Sequence, residues 1–308
     1  MFSKRSLVIL LMIVILSACK ENRPPQPFPY AQPPLMMATS SASMSEWLAE
    51  HYWNAWLDSI PKFSQDTSLI GGITKEDFVV AMKQYAALLN VIPTQKGIQI
   101  QNKLWSQLAS CDESLKPIVN GLFQAHEQYF YHPLSSFRNE DFYLPAVRWK
   151  VSQETDSTRQ QLYQNQFETC NHNQWGTVAP DFRYQVPGKE SERMHNIATP
   201  FTLLCFSIPE CQYCWDIIQQ LAHHADIQQA IQQGRLTVLN LYHENELEKW
   251  MNYRKEYPQT WINAFDPDQD IQNNRLYILR ATPSLYLLNQ NKQILLKDAT
   301  PEQIVRAL

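Results

Sequence analysis

Glycine is scarce in this sequence, at 7 of 308 residues. Beside nine tryptophans, that scarcity points to helix-rich packing in at least part of the chain. A basic excess is missing too. Lysine and arginine number 26 against 30 acidic residues, a formal charge of -4, so little positive surface exists to neutralise phosphates and nucleic-acid binding is disfavoured. No apolar run reaches the ~20 residues that a bilayer-spanning helix needs. No repeat is evident at solenoid periods. Only one Cys-x-x-Cys is present, and His223 and His224 are adjacent rather than spaced for one face, so a four-ligand zinc site lacks half its donors and no metal is expected. What is there is ample apolar material, 44% of residues, in a chain long enough for about two domains with sizeable cores.

The first residues read as a targeting segment. Lys4 and Arg5 precede an apolar run over residues 7–16, which ends in Leu16-Ser17-Ala18-Cys19. Small residues before a cysteine, after a short apolar run, resemble a bacterial lipobox: residues 1–18 form the signal peptide and Cys19 carries the lipid. The other reading is an uncleaved anchor helix with an incidental cysteine; both export the chain. Lys20 follows Cys19 where an inner-membrane retention signal often places Asp, which favours the outer membrane. The expected location is therefore the cell envelope, lipid-anchored and facing the periplasm. That compartment is oxidising. With Cys19 lipidated, Cys111, Cys170, Cys205, Cys211 and Cys214 remain, an odd number that leaves at least one thiol unpaired within a monomer.

Residues 19–45 hold Pro24, Pro25, Pro27, Pro29, Pro33 and Pro34, a composition that opposes helix and sheet and suits an extended spacer. Residues 46–170 read as a helical domain. Trp47, Leu48, Tyr52, Trp56 and Leu57 fall on one stripe, and Phe78, Met82, Tyr85, Leu88 and Leu89 follow a Thr74-x-x-Asp77 start. Further helices are expected over residues 95–108, 115–131, 139–151 and 156–169. The pattern changes in residues 171–308. Buried strands are expected at 200–206 and 236–241, helices at 214–233 and 244–257, a hairpin from 283–288 and 293–296, and a last helix at 301–308. A βαβ unit followed by a ββα unit is the thioredoxin order. The fold class is thus α+β with two domains, a helical N-terminal domain and a thioredoxin-like α/β domain with a central mixed sheet flanked by helices.

Cys211-Gln212-Tyr213-Cys214 lies between a buried strand and an amphipathic helix. That placement puts the first cysteine at a helix N-terminus, where unpaired N–H groups and the dipole stabilise a thiolate. The second lies about one turn on and is less exposed. Cys211 is therefore the candidate nucleophile and Cys214 the resolving thiol. A merely structural disulfide is the other reading. A peroxiredoxin-type site is disfavoured, because the positions where that family places a proline and a threonine hold Leu204 and Ile208.

Residues 176–308 resemble the TlpA/ResA-like branch of the thioredoxin superfamily. Gly176-Thr177-Val178-Ala179-Pro180-Asp181-Phe182 is similar to that branch's entry motif, and Thr282-Pro283 followed by Ser284-Leu285-Tyr286-Leu287-Leu288 matches its cis-proline and the next strand. The resemblance implies that Pro283 is cis, facing the cysteines, and that the Thr282 backbone pairs with substrate. Residues 46–170, with Tyr129-Phe130-Tyr131-His132-Pro133 and Arg138-Asn139-Glu140-Asp141-Phe142-Tyr143-Leu144-Pro145, resemble the uncharacterised helical domain that precedes thioredoxin domains in Bacteroidetes-type lipoproteins. Asn139 reads as a helix cap, with Glu140 and Asp141 in the first turn.

Together these resemblances imply an exported thiol–disulfide oxidoreductase that reduces disulfide-containing envelope proteins, itself re-reduced by a membrane electron donor. The Cys211/Cys214 dithiol–disulfide pair serves without a further cofactor. The alternative is a non-catalytic binding module of the envelope with the same fold. Three departures from the family pattern bear on catalysis. Glu210 stands where thioredoxins carry tryptophan, and a carboxylate there disfavours the thiolate. Gln212-Tyr213 matches no familiar dipeptide. Cys205 occupies the strand position of a buried aspartate that moves a proton at the second cysteine; it reads as a small core residue or as a thiol able to trap Cys214. Cys111 and Cys170 are a further possible pair, which sequence alone does not place within bridging distance.

Overall fold

Local capping chemistry sets where the helices begin. The computed structural model describes residues 24–35, 40–60 and 69–308; the signal peptide and Cys19 lie outside them. The chain divides into two compact units, residues 1–85 with 112–121, and residues 86–111 with 122–308.

In the first unit, the Ser40 hydroxyl caps α1 (Ser41–His51), which is followed by α2 (Asn54–Ser59). The stripe expected to run unbroken from Trp47 to Leu57 is interrupted at Tyr52-Trp53, and both of those rings are buried. The Thr74 start holds: Thr74 Oγ1 accepts from Asp77 N at 3.1 Å, and α3 (Lys75–Leu89) follows. Its Phe78 and Tyr85 pack among Tyr52, Trp53 and Trp56. Gly71 has φ +58°, and a Cβ there would lie 2.9 Å from the Trp56 ring nitrogen, so both conformation and space require glycine. The proline-rich stretch is not wholly a free spacer. Phe28 is buried, stacked 5.3 Å from Tyr52 and edge-on to Trp53, and Gln26 N donates to Gly72 O. Proline forbids ladder pairing but not the burial of an aromatic between prolines.

The second unit begins with α4 (Thr94–Ala109), followed by Leu122, Phe123 and His126 of α5 (Lys116–His126), a π-turn (Glu127–Tyr131), α6 (Glu140–Gln153) and α7 (Ser157–Asn171). Asn139 and Asp156 cap the last two, accepting from Phe142 N and Arg159 N. Trp105, Phe123 and Trp149 form their core.

The sheet follows. Among the described residues its strands are β1 (Arg183–Gln185), β2 (Ser191–Arg193), β3 (Phe201–Phe206), β4 (Leu236–Tyr242), β5 (Ile262–Phe265), β6 (Ser284–Asn289) and β7 (Ile294–Leu296), in the order β2-β1-β5-β4-β3-β6-β7. β3, β4 and β5 are parallel; β6 runs antiparallel to β3, and β7 antiparallel to β6. Alternation buries both faces. Leu203, Cys205, Val238, Leu285 and Leu287 face one core, and Leu204, Phe206, Leu239, Tyr286 and Leu288 face the other. Helix α8 (Gln212–His223) lays Ile217, Ile218 and Leu221 on the first face. Burying each such side chain contributes about 1.5–3 kcal/mol.

A helical region thus precedes a thioredoxin-like sheet domain. The helix expected over 214–233 is two, α8 and α9 (Ala225–Gln232), because His224 leaves the helical region and its ring caps the second through Asp226 N. The 244–257 helix contracts to α10 (Leu247–Tyr253) and a 3₁₀ turn. Strands β1, β2 and β5 and the short α11 (Asp270–Asn273) carry no periodic signal at three to four residues each. The last helix, α12 (Pro301–Ala307), begins with a Thr300/Gln303 capping box.

Candidate active site

β3 delivers the chain to the site. After Phe206 it passes Ser207 to Glu210, and Glu210 takes φ +57°. Cys211 then occupies the N-cap of α8 in extended conformation, its Sγ accepting from Cys214 N at 3.1 Å. A cap position leaves the first-turn N–H groups aimed at that sulfur, and no acid sits in the first turn of α8 to oppose them. Cys211 is half-buried and Cys214 is buried, 1% exposed. The two are joined in a disulfide. From the other side comes the peptide Thr282–Pro283, which is cis, with Thr282 O 4.0 Å from Cys211 Sγ. The structure therefore brings Cys211, Cys214, Thr282 and Pro283 to one place at the ends of β3 and β6.

Cys205 is fully buried in β3, in the core shared with Ile217 and Ile218 of α8. It is a free thiol, not a partner of Cys214 here, and burial pushes it up to about 12. It is therefore neutral near pH 7 and no substitute for a buried carboxylate as a proton acceptor. No disulfide joins Cys111 to Cys170, and Cys170 is fully buried.

Glu210 is not an unbalanced charge. Its Oε2 lies 2.9 Å from Lys249 Nζ of α10, and Glu246 Oε2 lies 3.6 Å from the same ammonium. The hydrogen bond to Glu210 raises Lys249 above the ordinary lysine value. Sequence reasoning weighed Glu210 alone; its partner lies on another element and left no local signal. Beside Thr282 runs a groove of about 510 Å³ whose wall includes His243, Tyr277, Leu279 and Arg280. Burial lowers His243 to about 4, so the ring is neutral at pH 7.

Sequence reasoning also missed the depth of the Arg138–Asp141 stretch. Asn139 caps α6 as expected, but Glu140 is 2% exposed and forms ion pairs with Arg280 and Lys297.

A family model described as "Domain of unknown function (DUF5106)" matches residues 14–173, more than half of the chain. The chain belongs to the DUF5106 family. Over nearly its whole length this DUF5106 protein is similar to a thioredoxin-like protein of known structure from Bacteroides caccae: 27% identity, 92% of this chain and 98% of that one covered, TM-score 0.69. The C-terminal domain of an uncharacterized protein from Bacteroides fragilis is 34% identical, covering 44% of this chain and 97% of that one, with a TM-score of 0.43. A thioredoxin domain of a thiol-disulfide oxidoreductase from Bacteroides vulgatus is 16% identical, covering 44% of this chain and 94% of that one, at TM-score 0.39. No curated protein matches the DUF5106 chain.

Proposed function

We propose that this protein is a TlpA/ResA-like thiol–disulfide oxidoreductase, lipid-anchored through Cys19 and exported to the envelope, where it reduces disulfides of other proteins. One observation carries the reading. A half-buried cysteine caps a helix, is bonded to a buried cysteine one turn on, and faces the carbonyl before a cis-proline. The described state is the oxidised one. In the reduced state, the Cys211 thiolate attacks one sulfur of a client disulfide, forming a mixed disulfide and releasing the other client sulfur as a thiolate, which takes a proton. Cys214, having lost its proton, attacks Cys211 Sγ. The Cys211–Cys214 bond re-forms, the second client thiolate leaves, and two electrons have passed to the client. A membrane electron donor restores the dithiol. The Thr282 backbone lies where an extended client segment can pair with it.

The proton on Cys214 has no buried carboxylate to receive it at the Cys205 position, so the departing client thiolate or water takes it and the resolving step is slow. The test is insulin reduction with dithiothreitol by the chain without residues 1–19. The wild type accelerates precipitation and Cys211→Ser does not. Equal activity in the Cys211→Ser variant would remove Cys211 from the role of nucleophile.

A further inference from the structure

An acid in the first turn of a helix is ordinarily a solvated charge beside the dipole. Glu140 is instead among the most buried charged groups described, and a buried carboxylate persists only when cations meet it. Two do. Oε1 pairs with Arg280 Nε, and Oε2 lies 2.5 Å from Lys297 Nζ. Lys297 also donates to the carbonyls of Thr169, Cys170 and His172 at the end of α7, the place where a cation suits a helix. Arg280 is held on every side. It pairs with Asp298 Oδ2 at 2.7 Å, donates to Tyr131 O at 2.8 Å, and lies 4.0 Å above the Tyr131 ring. Arg138 closes the cluster by donating to the carbonyls of Asp298 and Ala299.

Arg280 stands two residues before Thr282. Residues 275–283 form neither helix nor strand. Near the start of this loop, His172 and Asn173 bond Leu276 O and Tyr277 bonds Pro180 O; near its end, Ser284 Oγ donates to Ala281 O. Between these anchors, the Arg280 guanidinium ties the loop to α6 and the π-turn.

We infer that Glu140 and Arg280 are positioning residues for the thiol–disulfide site: they fix where the Thr282 backbone lies opposite Cys211. The inference rests on the function proposed above. It makes the helical segment of this unit part of the apparatus that receives a client. Exchange requires the attacking and leaving sulfurs in line, and a displacement of the pairing strand of ~1 Å is enough to cost a large factor in rate. The reactivity of Cys211 itself is set by the α8 N-terminus, so the two properties separate.

The test uses the whole chain with Glu140→Gln, which keeps shape and removes charge, and with Val147→Ala, a fully buried position in the same helix, as a control for lost stability, both measured well below their melting temperatures. Three readouts are taken: KM and kcat for a disulfide-bonded peptide, the alkylation rate of reduced Cys211 by iodoacetamide, and the backbone NMR shifts of Ala281 and Thr282. Glu140→Gln is expected to raise KM about tenfold or more, to leave alkylation within about twofold, and to move both shifts. Val147→Ala leaves KM and both shifts unchanged. An unchanged KM and unmoved shifts in Glu140→Gln, or the same changes in Val147→Ala, would overturn the inference and leave the cluster a stability element. If Glu140→Gln does not fold, Asp298→Asn removes another partner of Arg280 and is read the same way. If the wild type reduces no disulfide, the proposed function fails, while the shifts still decide whether Glu140 places the loop.

Discussion

The loop carrying Thr282 is flanked by two sets of charges with opposite character. On the cysteine side, Glu210, Glu246 and Lys249 are exposed, with side chains 43–71% accessible. Behind the loop, Glu140, Arg280, Lys297 and Asp298 are 2–13% accessible. Exposed pairs contribute about 0–1 kcal/mol each and re-form easily around a visitor. Buried ones are costly to break, because a lone charge is left in a medium that cannot solvate it. The difference teaches a division of labour: on the proposed function, the face that would receive a client is electrostatically soft, and the support of the loop beside it is stiff.

The comparison can be broken at several points. The largest effect belongs to the cysteines themselves. Cys214→Ser removes the resolving thiol, so turnover falls to background and a client–Cys211 mixed disulfide accumulates; a non-reducing gel with mass spectrometry detects it, and its absence would count against the assigned roles. Next is the stiff side. Glu140→Ala leaves Lys297 without its carboxylate and Arg280 with Asp298 alone, and should cost about 3–5 kcal/mol in urea unfolding. A loss under about 1 kcal/mol would place the cluster in the same class as surface pairs.

A third effect is pH dependence. Burial holds His126 and His243 at about 4, against 6.5 in an unfolded chain. Between those values the unfolded chain binds their protons and the folded chain does not, so stability falls as pH drops through this window. Asp141 works the other way. Burial pushes it up to about 6 from 3.8, so the folded chain holds its proton in that range and stability gains as pH falls. Near pH 5, unfolding of Asp141→Asn should therefore take up about one proton more than unfolding of the wild type. A slope unaffected by that substitution would contradict the account of Asp141. The smallest effect is on the soft side. Lys249→Met leaves Glu210 unneutralised beside Cys211, and alkylation of reduced Cys211 at pH 7 should slow by about twofold, a difference that fades in ~1 M salt.

Much of this molecule was legible from local chemistry. Thr74, Asn139 and Asp156 announce their helices because a capping side chain needs only its own next three residues. The Cys211/Cys214 pair was legible because it sits between a buried strand and an amphipathic helix, and the cis bond through the resemblance of Thr282-Pro283 and the strand after it to the thioredoxin-family pattern. What escaped is non-local or short. Arg138 meets Asp298 across 160 positions, and the Glu210–Lys249 and Glu140–Arg280 pairs likewise join distant segments, so no spacing rule exposes them. β5 has four residues and β1 and β2 three, below the length at which alternation is readable. The helix break at Tyr52-Trp53 falls where both rings are buried among other aromatics, with no breaker residue to announce it.

The most direct test of the central claim is a redox titration of the Cys211–Cys214 pair in the whole chain, followed by mass shift on alkylation. A pair that passes electrons to clients is expected to titrate reversibly as a two-electron couple, at a potential above roughly -300 mV. A pair that stays oxidised well below that value would be a structural disulfide, and the account of Cys211 as a nucleophile would be wrong.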